Sequence, residues 1–342
     1  MDGRVTKRDV NEVAADYRLP RLVTFRAADH AEEGASYLLE SAKGKFQLHL
    51  EGQKSEMEIK REFDLLLFLR KHGFPCSVPL ADRRGRYYRE WNGRYLFVSR
   101  SLDGHSILAE DISPSQLENT GRLLGELHLV SKAYKKGVDN RFAFDRVAEV
   151  YLDARARVPG YLKKIIRTLD EELEYLNRYL EGKLPKGVIH GDLCLDNIRF
   201  RGEKIVLVDG FEGAARGKYI FDLAQLVNSV CFDGGRYIHT RFDALLSGYE
   251  GVRTLSLAEW DAFPNELRFS AFRLAVSRLR DFFLYPLERE RLNRDFQDFY
   301  DRLLILRRER DGGMEPILMA MATGYDYRKY QRVKAIEKRS RG

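Results

Sequence analysis

Asp192, Asn197 and Asp209 are the residues of this 342-residue chain whose types and spacing could do chemistry together. Asp192 and Asn197 lie five residues apart in Val188-Ile189-His190-Gly191-Asp192-Leu193-Cys194-Leu195-Asp196-Asn197-Ile198, and Asp209 follows twelve residues later, after Ile205-Val206-Leu207-Val208. Apolar runs bracket each polar group, so three acceptor side chains are delivered to one end of a small buried sheet. Phosphoryl transfer from ATP to an alcohol needs such a set. One carboxylate orients the attacking hydroxyl and takes its proton, while an amide and a second carboxylate are hard oxygen donors for Mg2+. The spacing H-x-D-x-x-x-x-N before a strand ending in Asp is far more specific than a lone glycine motif. Its rival is a polar turn between two ordinary strands. His190 is expected to shape the loop, donating to a backbone carbonyl or to Asp209, in preference to a direct chemical role. Asp196 is explained equally well as an exposed turn carboxylate, and Asp222 as a helix-opening carboxylate that caps free N–H groups.

The elements around these residues read as α+β, in two lobes. Leu22 to Phe25, Ser36 to Glu40 and Phe46 to Leu50 are strands, with Gly44 supplying the left-handed position of the turn between the last two. A helix spans about 54–71, stopped by Gly73 with Pro75 and Pro79 beyond it. Asn92-Gly93 between Arg86–Trp91 and Arg94–Val98 is the strongest hairpin signal. This order of strands, helix and hairpin is that of an ATP-covering lobe, with 99–104 as the hinge. Beyond it helices dominate. Ser113-Pro114-Ser115-Gln116 is a capping box, and 161–180 carries leucines and isoleucines at spacings of 3 and 4. Pro264, Pro286 and Gly248 punctuate the helical remainder. The division expected is 1–20 as an N-terminal extension, 21–100 and 101–310 as the small β-rich and larger mainly helical lobes, and 311–342 as a basic tail.

Composition sets the class. With 44% hydrophobic and 32% charged residues the chain is globular, and no apolar run is long enough to span a bilayer. Three widely separated cysteines (Cys76, Cys194, Cys231) suit reduced thiols and a cytoplasmic location. The net charge of +7 is concentrated in residues 328–342, where seven Lys and Arg face only Glu337. The remainder is nearly neutral, so a nucleic-acid surface on the folded body is not expected and no membrane partner is implied. Nothing in the sequence specifies the oligomeric state.

His190-Gly191-Asp192, Asn197, Asp209 and Tyr219-Ile220-Phe221-Asp222-Leu223-Ala224 resemble the aminoglycoside phosphotransferase and choline kinase superfamily, which has the protein-kinase-like fold. The block 228–232, then 244–256 and 272–282, is similar to type II homoserine kinases. The resemblance covers about residues 22–305. It implies an ATP- and Mg2+-dependent kinase with Asp192 as base, Asn197 and Asp209 on the metal, and a small hydroxyl compound, homoserine first, as acceptor. It also implies nucleotide contacts from Gly34, Ser36, Tyr37, His49, Glu62, Ser99 and Ser101. Arg278 and Asp281, one helical turn apart, would bind the carboxylate and ammonium of an amino acid alcohol; an intrahelical surface pair explains them equally well. Two departures stand out. His49 occupies the position of a phosphate-binding lysine, and Gly210 follows the metal ligand where the family more often has Asp-Phe. They motivate two alternatives: another acceptor (choline or ethanolamine, an amino sugar, an aminoglycoside), or a pseudokinase acting as a binding or spore-coat-type protein.

Overall fold

The computed structural model describes residues 5–27, 36–101, 103–136, 140–180, 182–233, 235–284 and 296–311. Gly34, Pro286 and the basic segment 328–342 lie outside these residues. The chain divides into two compact units, Met1–His105 with Ile198–Asp209, and Ser106–Asn197 with Gly210–Gly342.

The first unit opens with helix α1 (Lys7–Asp16), started by a Thr6/Asp9 capping box. Strands β1 (Leu22–Ala27), β2 (Ser36–Ser41) and β3 (Gly44–Glu51) follow, then helix α2 (Glu56–Lys71) and strands β4 (Arg89–Trp91) and β5 (Arg94–Ser101). The strands form one antiparallel sheet in the order β1-β2-β3-β5-β4. The β4–β5 turn has Asn92 and Gly93 at φ 49° and 74°, the left-handed pair that an Asn-Gly hairpin turn demands. Alternating Phe46, Leu48 and Leu50 of β3 bury against Leu39, Leu96 and Val98. Val10 and Val13 of α1 join this core, so the N-terminal segment packs on the sheet. A Ser55/Glu58 capping box starts α2, two residues later than the sequence pattern suggests.

The second unit begins with α3 (Pro114–Ser131), α4 (Phe144–Arg155), α5 (Lys163–Tyr179) and strand β6 (Lys186–Ile189). The expected start at Tyr161 falls in a 3-10 turn, Gly160–Leu162, ahead of α5. After Asn197 the chain returns to the first unit as the hairpin β7 (Ile198–Arg201) and β8 (Lys204–Val208). It re-enters the second unit as β9 (Ala215–Lys218), antiparallel to β6, and α6 (Tyr219–Val230). The short β10 (Phe232–Asp233) and β11 (Arg236–Tyr237) lead to α7 (His239–Glu250), α8 (Leu257–Leu284) and α9 (Phe296–Asp311). Two expected punctuation points lie inside helices instead. Pro264 is within α8, and Gly248 is within α7, where the backbone of α3 packs so closely that a Cβ would meet the Glu118 carbonyl. No helix among the described residues is long and apolar enough to cross a membrane.

Candidate active site

The loop after β6 is held from beneath. Ser131 Oγ of α3 donates to the Val188 carbonyl at 2.7 Å, and Gly191 adopts φ 82° with the Gly213 carbonyl where a Cβ would stand. Asp222 has no exposed surface. Its carboxylate accepts the backbone N–H of His190 at 2.7 Å and of Gly191 at 2.8 Å. His128 Nε2 donates to it at 3.2 Å, the His128 Nδ1 accepts from the Tyr249 hydroxyl at 2.8 Å, and Arg253 Nη1 donates to that hydroxyl at 2.8 Å. Burial pushes the His128 pKa down and outweighs its bond to Asp222, leaving the ring neutral. The expectation for Asp222 is therefore corrected. Helix α6 starts three residues earlier, at Tyr219, and the Asp222 carboxylate anchors another segment's backbone instead of capping its own helix. The ring of His190 packs on Phe211 at 4.6 Å, with Nδ1 3.4 Å from the Asp192 N–H.

Above this support stands Asp192, whose side chain is 45% exposed. Its Oδ1 accepts from Arg273 Nη2 at 2.6 Å and from Gln225 Nε2 at 3.2 Å. Gln225 is fixed in turn by Ser270 Oγ, which donates to its Oε1 at 3.0 Å. Arg273 is buried, its guanidinium 4.3 Å from the Phe142 ring centroid. Burial pushes the Asp192 carboxyl up, but Arg273 outweighs it and holds the group below the usual carboxylate range. The Asp192 Oδ2 has no hydrogen-bond partner among the described residues, so the anion presents one oxygen to a ligand. Arg273, Gln225, Ser270 and His128 were not singled out from the sequence. A signal for Arg273 exists: with Ser277, Arg280 and Asp281 it makes a polar face at helical spacing on a largely apolar segment.

Asp192 lies on the wall of a cavity of about 420 Å³ that Arg141, Phe142, Arg273, Arg278 and Asp281 also line. The structure thus brings Asp192, Arg278 and Asp281 together within the second unit. Asp281 does not pair with Arg278; it accepts two bonds from Arg280, at 2.6 and 2.9 Å. Arg141 and Arg278 make no hydrogen bond to a described residue.

Asn197 donates from Nδ2 to the Asp192 carbonyl at 3.1 Å, which leaves its Oδ1 available to a cation. Gly210 explains itself here. Its φ is 82°, and a Cβ would stand 2.6 Å from the Asn197 Nδ2. The glycine makes room for the Asn197 amide. Asp209 follows β8 directly, and Asn197 precedes β7, whose Ile198 pairs with Val208. No group of three His, Cys, Asp or Glu among the described residues could hold a metal by itself. An amide oxygen and a carboxylate are each hard donors of the kind that suits Mg2+.

The other expected nucleotide residues are on the first unit. Ser36 and Tyr37 are buried within β2; Ser36 Oγ accepts from Gln47 Nε2 at 2.9 Å, and the Tyr37 hydroxyl accepts the Val5 N–H at 3.2 Å. His49 of β3 stacks on Phe97 with centroids 4.5 Å apart, and its Nε2 lies 3.0 Å from Ser99 Oγ. Burial, helped by the Lys54 charge, pushes the His49 pKa down to about 4. Glu62 pairs with Lys54 at 2.7 Å. Ser101 ends β5, paired in register with Lys45.

A model of the phosphotransferase enzyme family (APH) matches residues 24–255. The chain belongs to that family. The homoserine kinase of Caulobacter sp. (strain K31) is 31% identical over 280 residues, 81% of this chain and 87% of that one. The homoserine kinase of Methylobacillus flagellatus is 28% identical over 84% and 89% of the two chains. Among solved structures, a microcompartment-associated aminopropanol kinase superposes with a TM-score of 0.66 at 19% identity, covering 89% of this chain and 98% of that one. The amicoumacin kinase hAmiN, solved with AMP-PNP, Ca2+ and Ami, gives 0.63 at 18% identity over 91% and 95%. These likenesses establish the α+β, two-lobed kinase-like fold. The protein is a small-molecule phosphotransferase that uses ATP and acts on a hydroxyl group.

Proposed function

We propose that this phosphotransferase phosphorylates the hydroxyl of a small carboxylate-bearing amino alcohol, homoserine being the first candidate, with Mg2+ as the accompanying ion. The observation that carries the reading is the arginine-rich cavity beside Asp192. A quaternary ammonium or a polycationic sugar would meet Arg141 and Arg278 there, cations that no described carboxylate bonds. A carboxylate is their natural ligand. Asp281 supplies the counter-charge for an ammonium, shared with Arg280. The names of the relatives point the same way.

In this reading the acceptor hydroxyl donates to Asp192 Oδ2, the oxygen that Arg273 and Gln225 leave open. Arg273 keeps the carboxylate ionised and fixes its rotation, so the in-line approach of the alcohol is set before reaction. Asp192 takes the proton as the bond from the acceptor oxygen to the γ-phosphorus forms and the bond from that phosphorus to the bridging oxygen breaks, ADP leaving. His190 and Asp222 position the loop. Asn197 and Asp209 would hold Mg2+, which neutralises phosphate charge when bound. Cys76, Cys194 and Cys231 form no disulfide, which supports a cytoplasmic setting. ADP release measured across homoserine, choline, ethanolamine, an amino sugar and an aminoglycoside, with Asp192→Asn as the blank, tests the assignment. Turnover with homoserine alone is expected; turnover with a cationic acceptor and none with homoserine would overturn it.

A further inference from the structure

The position from which a β3 side chain would reach the nucleotide phosphates holds no cation in this chain. His49 lies there with its ring flat against Phe97 at an interplanar angle of 9°, and its pKa near 4 leaves it neutral at physiological pH. A neutral imidazole offers a single donor and no charge to a triphosphate. Yet Glu62 of α2, the helix carboxylate that a strand lysine pairs with in active protein kinases, does have an ammonium partner. It is Lys54, in the loop between β3 and α2.

We propose that Lys54 is the cation that holds the phosphates of ATP, reaching from this loop the place that a lysine on the third strand occupies in protein kinases. The ammonium is 2.7 Å from Glu62 Oε2 and 3.5 Å from Glu51 Oε2, so carboxylates from the helix and from the last residue of β3 aim it. The backbone supports the shift. Gly52 and Gln53 carry the chain out of β3, with the Gln53 N–H bonded to Glu51 Oε1 at 2.7 Å, and Ser55 then caps α2. Lys54 is thereby pinned between a strand end and a helix start. Its charge adds to the effect of burial in disfavouring a proton on the His49 ring. The Lys54 side chain is 25% exposed, within reach of a ligand. His49 is then no mark of a dead kinase: the cation has moved five residues along the chain, and the ion pair with the helix has been kept.

The proposal rests on the reading of the chain as an ATP-dependent kinase, and its rival is a lysine that only secures the start of α2. Binding of ATP and of adenosine to the full chain, measured by calorimetry in the presence of Mg2+, separates the two. Lys54→Met is expected to weaken ATP about 10- to 100-fold, the worth of a charge-assisted hydrogen bond. Adenosine affinity should stay within about twofold, because adenosine has no phosphate for Lys54 to hold. Lys54→Arg should recover part of the loss. Should Lys54→Met fail to fold, Glu62→Gln, which removes the charge that aims the ammonium, is expected to weaken ATP and spare adenosine. Unchanged ATP affinity in the folded variants, or equal losses of ATP and adenosine, would overturn the proposal. Failure of the parent chain to bind ATP would instead bring down the kinase reading beneath it.

Discussion

At the scale of single residues, the two oxygens of Asp192 do different work. Oδ1 is bonded by Arg273 and Gln225, while Oδ2 meets no described partner. A carboxylate tethered through one oxygen keeps its rotation without losing its acceptor, and it stays charged because Arg273 opposes the effect of burial. Arg273→Gln keeps one donor and removes the charge. It is expected to lower kcat about 10- to 100-fold with the KM for ATP little changed, since the lost contact serves orientation; steady-state kinetics with the acceptor saturating provide the check. His49 makes a prediction of another kind. Its pKa falls from 6.5 to about 4 on folding, so between those values the unfolded chain binds the proton and the folded chain does not. Its contribution to stability is therefore complete above pH 6.5, lost progressively as the pH falls towards 4, and constant below. The ring is only half-buried, so the loss is about 2 kcal/mol. Urea unfolding from pH 4 to 8 should show a shallower acid decline in His49→Gln than in the parent.

At the scale of elements, the loop proposed to carry the chemistry is fixed by groups distant in sequence. Asp222 of α6 holds two consecutive backbone N–H groups of the loop after β6, and His128 of α3 holds Asp222. An amide at 222 has one accepting oxygen for three donors. Asp222→Asn should then cost about 2–4 kcal/mol of stability and lower kcat while folding is retained, read by denaturant unfolding beside turnover at a temperature where the variant is folded. This network shows what was legible in the sequence and what was not. The Asn92-Gly93 hairpin and the start of α3 were readable because each is set by residues within four positions of one another. Asp192, Asn197 and Asp209 were readable as a motif of fixed spacing. Asp222, Arg273 and Lys54 were not, because their roles depend on partners 31, 81 and 8 residues away that only the packed elements bring together. Asp222 near a helix start looks like a cap, and the structure alone shows that its bonds go elsewhere.

At the scale of the molecule, the chain builds its first unit from two separate stretches. It leaves the second unit after Asn197, forms β7 and β8, and returns after Asp209, so each of the two residues proposed for the metal is the last before a crossing. The inserted hairpin is no ornament to that unit. His105 and Phe200 exchange backbone hydrogen bonds at 2.9 and 3.0 Å, and the Val208 N–H donates to the Pro75 carbonyl at 2.6 Å. Ile198, Phe200 and Val208 have no exposed surface. Burial of three such side chains contributes roughly 5–9 kcal/mol, comparable with the whole stability of a small domain. A fragment of residues 1–105 therefore lacks the hairpin that completes its fold, although it contains the entire five-stranded sheet. It is expected to show neither cooperative thermal unfolding nor dispersed amide resonances. A fragment in which a short glycine-serine linker joins residue 105 to residues 198–209 should recover both. A cooperative, well-dispersed 1–105 fragment would show instead that the sheet and α1 suffice, and that the hairpin is held by the unit without being needed to form it.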